Sequence, residues 1–199
     1  MKKIGLLGGT FDPIHTGHLI IAEYLYDELG LDEIWFIPTK DHALKENKGI
    51  SSPEIRWAML ELAISPNQKF KSLDIELTRP GVSYTIDTIE LLLKNHERLN
   101  PKFYFLIGMD NVNELPRWKN PEEISEKCQL VAFGRPGFRP SEEVENLLPR
   151  IQFIPVPLLE ISSTLIRKRV AEHKSIRYLV PESVLHYIKE NQLYKSPGK

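Results

Sequence analysis

The sequence feature that most constrains the fold is a corner rich in glycine and histidine at residues 5–18, which read GLLGGTFDPIHTGH. The apolar run at residues 3–7 is typical of a buried parallel strand, and apolar residues then recur at helical spacing up to Gly30. A glycine-rich turn between a strand and a helix places unpaired backbone N–H groups and the positive end of the helix dipole close to an anion. The corner therefore predicts a phosphate-binding site.

Five residues of this corner are candidate phosphate ligands. Gly8 and Gly9 let the backbone approach a ligand closely, and Thr10 adds a hydroxyl group. His15 and His18 lie three residues apart at the helix entrance, so both imidazoles can face one bound group as hydrogen-bond donors and, when protonated, as cations. Glycine pairs and single histidines are each common in structural roles, but their combination at one strand-to-helix junction favours function.

Composition limits the class of protein. With 199 residues, 41% of them hydrophobic, and no apolar run long enough to span a bilayer, the chain is expected to be soluble and to bury one core. Its 26 basic and 27 acidic residues give a net charge of -1, which provides no overall basic field for nucleic acid. A single cysteine, Cys128, and an N-terminus unlike a signal peptide predict a reducing, cytoplasmic location, with the thiol buried and inert.

A zinc site is the alternative role for the two histidines. Two imidazoles at this spacing would need further ligands, and Cys128 lies far away in the sequence without a paired metal-binding motif. The expectation is therefore that the protein itself supplies no metal site.

Strand and helix patterns alternate along the rest of the chain. Strand patterns occur at residues 33–37, 73–77, 102–107, 129–133 and 151–156. Helical patterns occur at residues 53–64 and 85–97, in a short stretch before residue 129, and in two C-terminal segments that begin at Ser162-Ser163 and after Pro181. The alternation predicts the α/β class, a Rossmann-like doubly wound parallel sheet with a C-terminal helical segment. Without an evident linker or repeat, residues 1–199 are expected to form a single domain.

Glycine, charged and turn residues follow four of the predicted strands. They lie at residues 8–9, at residues 38–45, at Gly108 and Asp110, and at Arg135. Ligands of doubly wound sheets collect at the carboxyl ends of the strands, so we expect these positions to meet around one nucleotide. Each of them alone would be ordinary loop chemistry.

Six motifs in this order resemble those of a known enzyme family. They are GGTFDPIHTGH at residues 8–18, SYTIDT at 83–88, GMD at 108–110, LPRW at 115–118, RPGF at 135–138 and ISSTLIR at 161–167. The first and last resemble the nucleotidyltransferase superfamily that carries a His-x-Gly-His motif. Together they are similar to the bacterial nicotinate mononucleotide adenylyltransferases, and residues 83–88 and 115–118 resemble that branch in particular. The resemblance covers nearly the whole chain.

The resemblance implies adenylyl transfer from ATP to nicotinate mononucleotide, with release of pyrophosphate, in NAD biosynthesis. It assigns His15, His18 and Arg167 to stabilising charge on the phosphates, with Mg²⁺ bound by the triphosphate of ATP. The ATP ligands that it implies are Gly8, Gly9, Thr10, Lys45, Gly108, Asp110, Ser162, Ser163 and Thr164. Thr85 and Trp118 are implied to hold the nicotinate nucleotide, and residues 162–194 to complete the ATP site.

Several of these residues also have structural interpretations. Residues 162–164 are typical of a helix N-cap followed by a solvated arginine, and Asp110 is typical of a loop cap. Trp118 could pack under a loop, although its polar neighbours favour a partly exposed binding face. Many relatives carry a Pro-Pro-His-Lys segment after the second strand. Residues 42–45 read HALK instead, which retains Lys45, and His42 or Lys40 are alternative ligands there.

Three other functions stay open at this point. A nicotinamide-preferring or a pantetheine-phosphate adenylyltransferase would share the first and last motifs, but the segments around Thr85 and Trp118 disfavour the pantetheine enzyme. A non-catalytic nucleotide-binding module could share the fold, which the presence of both histidines and Arg167 disfavours. The expected partners are ATP and nicotinate mononucleotide, without nucleic acid or membrane, and a homo-oligomer is compatible with the sequence.

Overall fold

The computed structural model describes residues 1–40, 50–134, 139–157 and 159–195. In these residues the strands are β1 (Lys2–Gly9), β2 (Glu33–Pro38), β3 (Phe70–Ser72), β4 (Pro101–Gly108), β5 (Gln129–Gly134) and β6 (Ile151–Pro155). They form one sheet in the order β3-β2-β1-β4-β5-β6. Every neighbouring pair runs parallel.

Helices connect these strands and cover both faces of the sheet. The α-helices of the described residues are α1 (Thr16–Leu29), α2 (Pro53–Ile64), α3 (Ile75–Thr78), α4 (Thr85–Asn95), α5 (Met109–Val112), α6 (Pro121–Lys127), α7 (Ser163–Ala171) and α8 (Glu182–Glu190). Short 3-10 turns occur at Glu97–Leu99, Leu115–Arg117, Glu142–Val144 and Leu148–Arg150. This arrangement confirms the predicted Rossmann-like doubly wound sheet with C-terminal helices.

Two hydrophobic cores lie on opposite faces of the sheet. Side chains alternate across β1, so Leu7 joins the first core while Ile4 and Leu6 join the second. The first core contains residues of α1, α2 and α8, and the second contains residues of α4 and α6. Burial on both faces is what a parallel sheet requires, and it explains why β1 and β2 are continuous apolar runs.

The strand predicted at residues 73–77 is wrong. The strand there is β3, which ends at Ser72, and α3 begins at Ile75 after Asp74. Thr78 N–H donates to the Asp74 carbonyl oxygen at 3.0 Å, so the segment closes a helical turn. Leu73 and Ile75 both pack against the second core. Alternation over five residues does not separate a strand from a single helical turn that buries the same side chains.

The order of the strands reverses between β1 and β4. The chain moves outward from β1 through β2 to β3 and then returns to the other side of β1 to form β4. Neighbouring connections therefore leave in opposite directions at the carboxyl ends of β1 and β4, which opens a crevice there. None of the helices in the described ranges has the length and apolar character needed to cross a membrane.

Candidate active site

A cavity of about 620 Å³ lies at the carboxyl ends of β1 and β4. Its volume falls within the range of small-molecule sites. Eight of the residues predicted from the sequence to bind substrate line it: Gly8, Gly9, Thr10, His18, Thr85, Gly108, Asp110 and Trp118. The structure therefore brings together, around one space, motifs that lie up to about a hundred positions apart in the sequence.

The two histidines form a stacked pair at the start of α1. His15 precedes the helix, and its backbone N–H donates to His18 Nδ1 at 3.2 Å. The ring centroids lie 3.6 Å apart with an interplanar angle of 19°, and the edge of Phe11 packs against His18. A Cβ atom at Gly17 would lie 3.1 Å from His15 Nδ1, so the glycine leaves room for the stack. His18 faces the cavity and His15 supports it from behind.

Burial controls the charge of this pair. It lowers the pKa of His15 to about 4. Burial, and then the charge of the neighbouring His15, lower the pKa of His18 well below 6.5. In the unliganded protein both imidazoles are therefore neutral at neutral pH and act as hydrogen-bond groups rather than as cations. A polyanion bound beside them would favour the protonated forms.

The glycines of the site differ in what surrounds them. A Cβ atom at Gly8 would meet nothing within 4 Å, so this backbone is open to the cavity. At Gly9 it would lie 2.9 Å from the Phe11 ring, and at Gly108 it would lie 2.5 Å from Asp110 Oδ1. Gly8 thus leaves space that a ligand can occupy, whereas Gly9 and Gly108 leave space for side chains of the protein itself.

One wall of the cavity comes from the start of α4 and from the segment around Trp118. Thr85 is the first residue of α4, and Trp118 is half-buried with its ring set edge-on against Phe105 at 5.8 Å. Lys119 Nζ lies 2.7 Å from Asp87 Oδ1 and ties the two segments together. Trp118 therefore packs against the second core and also lines the cavity, and its contact with the nicotinate nucleotide stays a prediction.

Sequence reasoning missed a buried polar network in this wall. The Thr88 hydroxyl donates to Glu76 Oε1 at 2.8 Å and accepts from Arg79 Nη2 at 3.0 Å. Burial raises the pKa of Glu76, while Thr88 and Arg79 act in the opposite direction. Glu76 and Thr88 both line the cavity. The signal was hidden because Glu76 lies in the helical turn that the alternation predicted to be a strand.

The predicted serine cluster contacts the turn between β1 and α1 rather than the cavity wall. Ser162 Oγ accepts from Leu165 N–H at 3.1 Å, which makes Ser162 the N-cap of α7. Ser163 Oγ donates to the Pro13 carbonyl oxygen at 2.8 Å. The structural interpretation as an N-cap is confirmed for Ser162, Ser163 anchors the turn, and the predicted contact of this cluster with phosphates stays a prediction.

Arg167 contacts the same turn. Its Nη1 donates to the Asp12 carbonyl oxygen at 2.7 Å, and its Nη2 donates to Thr164 Oγ1 at 3.4 Å. Neither Arg167 nor His15 is among the residues that line the cavity. Arg167 holds the glycine-histidine turn, residues 8–18, through the Asp12 carbonyl, and His15 lies behind His18 in the stacked pair.

Two further charged residues, Asp12 within the turn and Arg56 of α2, hold this turn in place. Asp12 is buried, and its Oδ2 accepts from Ser51 N–H at 3.0 Å. Arg56 is buried as well, and its Nη1 donates to the Thr10 carbonyl oxygen at 2.7 Å. Their partners are 39 and 46 positions away, so only the folded chain shows the contacts.

The remaining predictions concern the loop around Lys45, Arg135, the single cysteine and a metal site. Lys45 and its neighbours at 42–44 lie outside the described residues, as does Arg135. Cys128 is buried, as predicted, and burial raises the pKa of its thiol to about 12, which disfavours the reactive thiolate. Within the part of the chain that the structure describes, no group of three or more His, Cys, Asp or Glu side chains is arranged to hold a metal ion.

Comparison with known proteins identifies the family. A model of the cytidylyltransferase-like family matches residues 6–169. The chain is 42% identical over 196 residues to the nicotinate-nucleotide adenylyltransferase of Bacillus subtilis strain 168, a match that covers 98% of this chain and all of the relative. A Bacillus licheniformis protein named "Probable nicotinate-nucleotide adenylyltransferase" is 43% identical with the same coverage. The chain belongs to the nicotinate-nucleotide adenylyltransferases of the cytidylyltransferase-like family.

A solved structure supports the fold of this family member independently. The Plasmodium falciparum nicotinic acid mononucleotide adenylyltransferase complexed with NaAD superimposes with a TM-score of 0.79. The match covers 98% of both chains at 23% sequence identity. The likeness therefore extends over the whole sheet and its flanking helices.

Proposed function

We infer that this chain transfers the adenylyl group of ATP to nicotinate mononucleotide and forms nicotinate adenine dinucleotide and pyrophosphate in NAD biosynthesis. One observation carries the inference. His18 with the glycine pair, and Thr85 with Trp118, face a single cavity at the switch point of the sheet. A phosphate-handling motif and an aromatic wall around one space are what the joining of two nucleotides requires, and the near-complete match to family members supports the substrates.

The acceptor supplies its own nucleophile. The second pKa of a phosphate monoester is about 6, so the 5′-phosphate of nicotinate mononucleotide is mostly dianionic at neutral pH. One of its oxygens bonds to the α-phosphorus of ATP, and the bond to the β-phosphate breaks as pyrophosphate leaves. No general base is needed. The protein has to hold two polyanions in line and to stabilise the negative charge that develops.

We assign this stabilisation to His18, His15 and Arg167. His18 lies in the cavity beside the glycine pair, and His15 stacks against it. An α-phosphate bound there receives hydrogen bonds from imidazole and from the open backbone at Gly8. The Arg167 guanidinium, anchored by one nitrogen on the Asp12 carbonyl, has further N–H groups to offer to the terminal phosphates.

The other proposed substrate contacts are supported by the family motifs. Asp110, after Gly108, accepts hydrogen bonds from the ATP ribose, and Ser162, Ser163 and Thr164 at the start of α7 complete the site for the terminal phosphates. Lys45 is a further phosphate ligand. ATP enters as its magnesium complex, so Mg²⁺ arrives with the substrate and adds positive charge to the leaving pyrophosphate.

In this proposal the chain works as one nucleotidyltransferase unit over residues 1–199. Residues 162–194 complete the ATP site, which is supported by the contacts of Ser163, Arg167 and Tyr194 with the glycine-histidine turn. The enzyme acts in the cytoplasm on small nucleotides.

The acceptor site should prefer a carboxylate to an amide. Thr85 and the first backbone N–H groups of α4 can satisfy both oxygens of the pyridine carboxylate, and the helix dipole favours an anion there. Nicotinamide has only one acceptor oxygen and leaves a buried donor unpaired. Because such a mismatch costs about 1 to 3 kcal/mol, we expect roughly tenfold to hundredfold discrimination.

Side-by-side assays of pyrophosphate release test the function. ATP and Mg²⁺ are supplied with nicotinate mononucleotide, nicotinamide mononucleotide or phosphopantetheine, and kcat/KM is compared. The proposal predicts the highest value with nicotinate mononucleotide and a product with the mass of nicotinate adenine dinucleotide. A preference for either other acceptor would overturn the substrate assignment, and absence of turnover with all three would favour a non-catalytic module.

A further inference from the structure

Tyr194, which follows α8, contacts the glycine-histidine turn across 182 positions of sequence. Its hydroxyl donates to Asp12 Oδ1 at 2.6 Å. Asp12 is almost fully enclosed, with 1% of its surface exposed. The family model matches residues 6–169, so the match gives Tyr194 no role.

The backbone after α8 adopts an unfavourable conformation where it brings Tyr194 to this position. Gln192 and Tyr194 have φ angles of 52° and 61°, in the left-handed region that costs free energy for residues with a Cβ atom. The Tyr194 ring packs against the first core, with its hydroxyl 3.9 Å from Met59 Sδ. Burial, and then the hydrogen bond to Asp12, raise the pKa of Tyr194, so the hydroxyl keeps its proton and remains a donor.

Asp12 is the point at which three distant segments meet. Its Oδ1 accepts from Tyr194 and its Oδ2 accepts from Ser51, which precedes α2. Its carbonyl oxygen accepts from Arg167 of α7. Removing the Tyr194 hydroxyl takes this donor from a buried carboxylate oxygen, which favours a shift of the turn toward another donor.

We propose that Tyr194 is a positioning residue for adenylyl transfer, which acts through Asp12 on the turn that carries Thr10 and His15. The inference rests on the proposed function, since it concerns the same phosphate site. The turn reaches the reacting phosphates at its inner side, and Tyr194 holds it from the outer side. Displacement of reacting groups by about 1 Å can cost roughly a hundredfold in rate, so a support of this kind affects turnover.

Tyr194→Phe tests the proposal because it removes only the hydroxyl group. Tyr187→Phe is the matched control, since Tyr187 lies on α8, packs against the same first core and has no hydroxyl hydrogen bond among the described residues. With steady-state kinetics well below the unfolding temperature, we expect kcat of Tyr194→Phe to fall about tenfold to a hundredfold. KM for nicotinate mononucleotide should stay within about twofold, because Thr85 and Trp118 are untouched, and Tyr187→Phe should match the wild type.

A double-mutant cycle shows whether the effect passes through Asp12. If it does, adding Tyr194→Phe to Asp12→Ala, which leaves no side-chain partner for the hydroxyl at position 12, lowers kcat by less than about twofold further. A Tyr194→Phe enzyme that unfolds at a lower temperature but keeps wild-type kcat would overturn the proposal, as would additive losses in the cycle. Wild-type turnover is measured first, and its absence counts against the proposed function rather than against the role of Tyr194.

Discussion

The glycine-histidine turn has an inner side, which faces the cavity, and an outer side, which faces α2 and the segment from α7 onward. The inner side offers open backbone at Gly8 and the imidazole of His18. On the outer side, main-chain carbonyl oxygens of the turn accept hydrogen bonds from Arg56, Ser163 and Arg167. The inner side is left free for a ligand, and the outer side is held by the protein. A phosphate site of this kind depends on both, because donors must be in place before the substrate arrives.

Replacement of the inner-side imidazole should give the largest effect. His18→Ala removes a donor aimed at the charge that develops during transfer. The activation free energy should therefore rise by about 3 kcal/mol, which lowers kcat by a factor of roughly a hundred or more, with little change in KM for ATP. Steady-state kinetics measures this. His186→Ala is the control, since His186 is exposed on α8 and pairs with Glu182. If a folded His18→Ala enzyme turns over as fast as the wild type, His18 has no role in the transfer.

The pH dependence of stability should reveal the buried pair. His15 has a pKa of about 4 in the folded protein and about 6.5 when unfolded, so the unfolded chain binds more protons between these values. Its contribution to stability is complete above about pH 6.5 and is lost as the pH falls toward 4. Because one pKa unit corresponds to about 1.4 kcal/mol, this group alone should lower the free energy of unfolding by about 2 kcal/mol between pH 7 and pH 5.

Urea unfolding at the two pH values measures the loss, with His15→Gln as the comparison. The variant has no titrating group at this position, so its free energy of unfolding should fall less than that of the wild type. If the free energy of unfolding falls equally in the two proteins between pH 7 and pH 5, burial of His15 does not control its charge.

A smaller effect is expected on the outer side. Arg167→Lys keeps one charged donor but loses the planar fork that can bind the Asp12 carbonyl and a phosphate at once, so kcat/KM should fall about tenfold. Arg169→Lys is the control, because Arg169 lies on the same helix and donates to the Ser175 carbonyl oxygen instead. If the Arg167→Lys enzyme is as active as the control, the guanidinium has only a structural role.

The same two sides explain what could be predicted from the sequence. The inner side belongs to one continuous segment, so the glycines, Thr10 and both histidines were visible as a motif. The sheet was equally visible, since buried parallel strands are apolar runs followed by helical patterns. Gly108, Asp110, Thr85 and Trp118 were found because strand ends and family motifs marked them.

Arg167 and Ser163 were visible in a family motif, but their contacts and those of Tyr194 on the outer side could not be predicted, because these contacts join positions far apart in the chain. Tyr194 and Asp12 are 182 positions apart, and Arg167 and Asp12 are 155 apart. No local pattern marks a tyrosine or an arginine as the partner of a distant carbonyl or carboxylate. Glu76 was missed for a different reason, because a short alternating segment at residues 73–77 was compatible with both a strand and a helical turn.

The most direct test of the account is the free energy of unfolding and kcat/KM of Gly8→Ala, measured together. A Cβ atom at Gly8 meets no protein atom within 4 Å, so stability should stay within about 0.5 kcal/mol of the wild type. The methyl group enters the space assigned to substrate, so kcat/KM should fall at least about tenfold.

Gly30→Ala should do the reverse. Gly30 ends α1 in the left-handed conformation with φ of 55°, so alanine there should lower stability by about 1 kcal/mol and leave the activity of the folded enzyme unchanged. Loss of activity without loss of stability in Gly8→Ala would confirm that substrate lies against the end of β1. Full activity in a stable Gly8→Ala enzyme would contradict the placement of the active site in this cavity.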